Sequence, residues 1–170
     1  MPAWDVRERF ELDVDAPAEL VLRTACEFDM QSLPLVRAVF RLREVMMGAA
    51  PTAPRQPQGI LAETRSLGWG LLAEVPGHWI ACGAHCQPWQ ADVRFMALAP
   101  EAFAAFAEPD QVKIAWTIEA QPLGPARSIH VQETRAIATD ALSRAQFRRY
   151  WRWARFGIVS IRLLLLPAVR

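Results

Sequence analysis

The 170-residue chain predicts an α+β fold: a curved antiparallel sheet gripping a long C-terminal helix around a cavity. Three observations predict it. Beyond Thr139 and Asp140, a helix start signal, Phe147, Tyr150, Trp151, Ala154, Ile158, Ile161 and Leu165 recur three or four residues apart and share one helical face. Several earlier segments alternate apolar and polar residues with period two, the pattern of half-buried strands. Short turns join those segments, which implies an antiparallel meander. A long amphipathic helix needs a surface to lie on, and the sheet provides one.

The elements follow in order. Val6 to Val14 is a strand, with Val6, Phe10, Leu12 and Val14 on one face and Arg7, Arg9, Glu11 and Asp13 on the other. Asp15, Ala16 and Pro17 stop it and start a helix over Ala18 to Phe28, because proline suits a first helical turn. Leu33 to Met47 is a second helix, with Leu35, Val39, Leu42 and Met46 along one side. Gly48 to Gln58 carries Pro51, Pro54 and Pro57 and reads as a loop. Ile60 to Val75 then reads as a long strand, divided by a bulge or turn at Gly68 and Gly70. His78 to Cys86, Ala91 to Leu98, Val112 to Ala120 and Ser128 to Ala138 are further strands, and Pro100 to Ala107 is one or two helical turns. The last helix spans roughly Asp140 to Leu166. The early helices and the last one are expected to cover the sheet's inner face.

This order resembles the helix-grip fold of the START / Bet v 1-like superfamily, also called SRPBCC. The segments FELDVDAPAELV, LGWGLLAEVPGHWIACGAHCQPW, KIAWTIEAQPLG and ETRAIATDALSRAQFRRYWRWAR are similar to those of bacterial polyketide cyclase or dehydrase-like members, and the resemblance runs over nearly the whole chain. The superfamily holds lipid carriers, hormone binders, cyclases and co-chaperones. It has no universal catalytic motif, so the resemblance implies a fold more than an activity.

Length fits one domain over residues 1–170 with a substantial core. Apolar residues make up 52% and charged residues 22%, as in an ordinary folded protein, and the net charge of +1 gives no nucleic-acid signature. Lys113 is the sole lysine among the basic residues, a bias that reflects base composition rather than function. An odd number of cysteines (Cys26, Cys82, Cys86) and a charged start, MPAWDVRERFELDVD, without an apolar stretch suggest a reducing, cytoplasmic setting. The most apolar stretch, Phe156 to Val169, is broken by Arg162 and Pro167, so no spanning helix is expected.

The last strand holds the strongest candidates for chemistry. Ile129, Val131, Glu133, Arg135 and Ile137 share a face by alternation. If the aliphatic residues point toward the cavity, Glu133 and Arg135 do too, about 7 Å apart at Cα. They would then be a polar anchor for a ligand carbonyl or carboxylate, or a structural ion pair. Trp79, Trp116, Phe147 and Trp151 are candidate aromatic walls of the same cavity. His78, Cys82, His85 and Cys86 form no metal site on a strand, because four residues span about 13 Å and His85 faces the other way. His85 shares its face with Trp79, Ala81 and Gly83, and is a candidate proton carrier if Asp92 or Glu133 comes alongside. No P-loop, dinucleotide fingerprint or nucleophile elbow is present, so no cofactor is expected. Arg148, Arg152 and Arg155, with Arg144 and Arg149, form a local basic patch that could meet anionic lipid or an acidic partner.

Three functions are open at this point: binding of a small hydrophobic or amphipathic molecule (lipid-like, aromatic or polyketide-like) in an internal cavity; a cyclase or dehydrase-like enzyme using Glu133, Arg135 and His85; and a protein-interaction module whose cavity is filled by side chains.

Overall fold

The computed structural model describes residues 1–29, 32–49 and 59–165, with side chains through Ser160. Its elements are β1 (Val6–Val14), α1 (Ala18–Glu27), α2 (Pro34–Met47), α3 (Gly59–Ser66), β2 (Gly70–Val75), β3 (Trp79–Cys86), α4 (Pro100–Ala105), β4 (Val112–Gly124), β5 (Arg127–Ala138) and α5 (Ala141–Leu165). The strands form one five-stranded sheet in the order β1-β5-β4-β3-β2, and every pairing is antiparallel. The first strand therefore returns to lie beside the last, and α5 leaves β5 to cross one face. This is the helix-grip arrangement.

Register decides which side chains meet the helices. Val6 lies opposite Ala136, Ala136 opposite Ile114, and Ile114 opposite Ala84. The even-numbered residues of β1, β3, β4 and β5 therefore share one side of the sheet. Two buried clusters form there. In one, Val21, Leu22 and Ala25 of α1 pack on Ile80, Cys82, Trp116, Ile118 and Ala120. In the other, Phe147 of α5 packs on Val112, Ala136 and Ala138, with Tyr150 and Trp151 alongside.

Asp140 caps α5, its Oδ1 accepting from the N–H groups of Leu142 (2.8 Å) and Ser143 (2.9 Å). These bonds, with one from the Asp110 N–H, hold its carboxyl down at about 2. Phe147 and Ala154 are buried on the α5 face that the spacing predicts, and Trp151 is half-buried.

Four expectations are corrected. Gly59 to Ser66 is a helix, not the first half of a long strand, and β2 begins only at Gly70. A short apolar run carries little period information, and Ile60 and Leu61 find their burial against α1 as a helix face. Ala91 to Leu98 is not a strand. Only Met96 pairs with β3, exchanging backbone hydrogen bonds with His85 at 3.0 Å. The second helix packs mainly on α5 rather than on the sheet, with Val36 fully buried, Val39 close to Gly157, and Leu35, Leu42 and Met46 exposed. Lastly, α4 and residues 1–4 lie on the side of the sheet away from α5, so that face is partly covered too. Of the loop expected over Gly48 to Gln58, Gly48 closes α2 in the left-handed conformation (φ 66°) and residues 50–58 lie outside the described residues.

Candidate functional site

The sheet presents two chemically different faces. The helix-facing side of β5 carries Ser128, His130, Gln132, Thr134, Ala136 and Ala138. Three neutral polar side chains, His130, Gln132 and Thr134, therefore run in a row down a central strand. His130 and Gln132 are 0% and 2% exposed. Gln132 Nε2 and His130 Nε2 are in hydrogen-bond contact at 2.9 Å. The row is flanked by Trp116 and Ile118 of β4 and by Phe10 and Leu12 of β1.

Solvent access along this side is uneven. Val112 and Ala138 are sealed at one end, and Ile118, Ala120 and His130 at the other. Between them Ile114 and Thr134 keep partial access, although both sit on central strands and face the helices. Glu8, opposite Thr134 on the edge strand, lies 3.9 Å from Arg155 of α5. That ion pair stands at the rim, and the row itself carries no carboxylate and no arginine.

The opposite face carries the charge. Glu133 is 7% exposed in its side chain and accepts from Arg7 Nη2 (2.8 Å), Arg9 Nη1 (3.2 Å) and Arg135 Nε. Burial alone pushes its carboxyl up. The hydrogen bonds from Arg7, Arg135 and Arg9 outweigh burial and hold it at about 2. Arg9 also reaches Glu11, and the guanidiniums of Arg7 and Arg135 stand 5.4 and 4.9 Å from the centre of the Trp4 ring. Arg135 Nη1 donates to the Met1 carbonyl at 2.8 Å. Beside this cluster a groove of about 750 Å³ runs over the sheet, floored by Ala81, Ala115, Thr117 and Ile137 and bounded by Trp79, α4 and residues 1–3. Gly83 lets α4 come close: a Cβ there would sit 2.5 Å from Leu72 Cδ1 and 3.1 Å from Phe103 Cε2.

The sequence-predicted residues therefore divide between the faces. Trp116, Phe147 and Trp151 lie on the helix side, and Trp79, Glu133 and Arg135 on the other. The inward orientation expected of Glu133 and Arg135 is corrected. Of the aliphatic residues that suggested it, Ile129 and Ile137 are half-buried and Val131 is buried, all on the outer face. His85 is on that face as well, four strand residues from the level of Glu133 and two strands away, about 16 Å at Cα. Its Nδ1 pairs with Gln111 Oε1 at 3.1 Å and its ring lies against Phe106, in place of the Glu133 or Asp92 expected beside it. The three residues considered for catalysis do not converge on one reacting atom.

Sequence reasoning missed His130, Gln132 and Thr134. Their signal was available: polar residues alternating on the same strand as the apolar set that was followed.

Among the described residues no group of three His, Cys, Asp or Glu side chains is placed to hold a metal ion. Burial pushes the thiols of Cys26 and Cys82 up to about 11 and that of Cys86 to about 12, which leaves them protonated at neutral pH. Of the basic patch, Arg144 Nε bonds Asp5 at 2.7 Å and Arg148 lies 3.9 Å from the same carboxylate, while Arg152 is exposed. No helix among the described residues is long and apolar enough to cross a membrane.

No protein-family model and no curated protein matches the sequence. Solved structures similar to it include a norcoclaurine synthase of Thalictrum flavum (10% identity, 96% of this chain and 93% of that one, TM-score 0.43). A hypothetical protein of Helicobacter pylori (9% identity, 98% and 89%, TM-score 0.39) and the ZhuI aromatase/cyclase of a Streptomyces species (11% identity, 96% and 93%, TM-score 0.33) are also similar. At such identities and scores no activity passes to this chain, and the helix-grip assignment rests on its own strand order and helix placement.

Proposed function

We propose that the protein binds a small, predominantly apolar molecule carrying a neutral polar group, held between the helix-facing side of the sheet and helices α1 and α5. The observation that carries this reading is the row His130, Gln132 and Thr134 on that side of β5. A row of polar side chains at the centre of a helix–sheet contact gains less from burial than aliphatic residues do. Such a row is useful where one ligand carbonyl or hydroxyl has to be fixed within apolar walls. Trp116, Phe147 and Trp151 supply those walls. The partial access at Ile114 and Thr134 supports space beneath α5. Binding is favoured over the enzyme reading because His85, Glu133 and Arg135 are not assembled on one site.

The test is native mass spectrometry of protein purified without detergent, followed by titration with fatty acids, sterols and neutral aromatic ketones while tryptophan emission is monitored. A bound neutral ligand that shifts the emission is expected. Gln132→Leu should lower its affinity about tenfold, the worth of one hydrogen bond, at a temperature where the variant is still folded. No binding by any panel member, with the protein folded, would refute the proposal and favour a filled core serving protein contacts.

A further inference from the structure

The groove on the opposite face has a charge pattern that the helix-side reading does not use. Lys113 on β4 and Arg135 on β5 are diagonal cross-strand neighbours, since Arg135 pairs with Ala115. Such neighbours stand about 7–8 Å apart. Two cations thus flank a methyl side chain at the floor. Like charges so placed repel each other unless something anionic lies between them.

Neither cation is fully neutralised. Arg135 shares the single carboxylate of Glu133 with Arg7 and Arg9. Lys113 Nζ donates to two main-chain carbonyls at the end of α4, Phe103 (3.2 Å) and Ala104 (3.1 Å), and meets no carboxylate among the described residues. The far end has the opposite sign: Glu119, paired with Trp79 in register, accepts from Gln121 at 3.0 Å. Between the ends lie Ala81, Ala115 and Thr117, small enough to leave a channel, with Phe103 and Leu72 as a wall. Four strand residues separate Ala115 from Glu119, about 13 Å, which suits a medium-chain acyl tail.

We propose that this groove is a second ligand site, one that takes a monocarboxylate with an unbranched apolar body. The carboxylate lies over Ala115 between Lys113 and Arg135, and the tail runs toward Trp79. Glu119 sets the orientation, because it repels a charge at that end, and a dicarboxylate is rejected for the same reason. The site is independent of the helix-side ligand, since the sheet lies between them.

Isothermal titration with sodium decanoate and with its uncharged counterpart decanol, both below micelle formation, tests this. Decanoate should bind once per chain, and decanol at least tenfold more weakly. Lys113→Met should weaken decanoate about tenfold and leave decanol unchanged. Ala115→Leu should abolish decanoate binding by filling the floor, while Thr134→Leu, on the helix side, should leave decanoate binding unchanged. Should a groove variant fail to fold, the salt dependence of the wild type decides: decanoate affinity must fall with added chloride while decanol affinity holds. The proposal is overturned if decanoate does not bind, if its affinity ignores both salt and the groove substitutions, or if Thr134→Leu is the change that removes it.

Discussion

Glu133→Gln probes the most heavily charged cluster among the described residues. In the wild type one buried carboxylate faces the guanidiniums of Arg7, Arg9 and Arg135, and its carboxyl is held at about 2 rather than 4.5. That interval corresponds to about 3 kcal/mol. The guanidiniums are about one-third exposed in their side chains, and solvent screening reduces the expected contribution to about 1–2 kcal/mol. The folded value lies below the unfolded one. The stabilisation is therefore complete above about 4.5 and is lost as the pH falls through that value toward about 2. Urea unfolding of wild type and Glu133→Gln at a series of pH values reads this directly. The variant should be less stable by that amount at pH 7, and the gap should shrink by more than half by about pH 3. A variant as stable as the wild type at pH 7, or a gap that stays constant into acid, would refute the ion-paired carboxylate.

Phe147 is 1% exposed between α5 and the sheet, so Phe147→Ala should cost about 3–5 kcal/mol, measured by chemical denaturation. Gly83→Val should destabilise the protein by about 1–3 kcal/mol through overpacking against Leu72 and Phe103, and proteolysis should then cut first near α4. Cys82 and Cys86 are buried with thiols pushed up to about 11 and about 12, so a thiol reagent at pH 8 should label them only as fast as the protein unfolds. Labelling of either faster than unfolding would mean that the core at β3 is open.

Much of the architecture was legible in local patterns. The alternation of β1, the long strands β4 and β5, and the apolar face of α5 all follow from side-chain geometry that repeats within a few residues. The Asp140 cap acts over three residues and was legible for the same reason. Local pattern failed at Gly59 to Ser66, where eight residues with a short apolar run fit either period and only the contact with α1 selects the helix. It also failed at Ala91 to Leu98, where strand formation depends on a partner and only Met96 finds one.

The site depended on a question that β5 alone does not answer. Both of its faces are partly covered, so burial does not distinguish them by sequence. One face carries Ile129, Val131, Glu133, Arg135 and Ile137; the other carries His130, Gln132, Thr134, Ala136 and Ala138. The larger aliphatic set suggested the cavity side, yet it lies on the outer face, where Ile137 lines the groove with residues 1–3 and α4. The helix side of β5 took small and polar residues, and Phe147 of α5 packs against Ala136 and Ala138 there. Alternation along a strand fixes which residues share a face. Which face meets the helix is decided by pairing with β1 and β4 and by the path of α5, contacts between residues far apart in the chain that no period of two can encode.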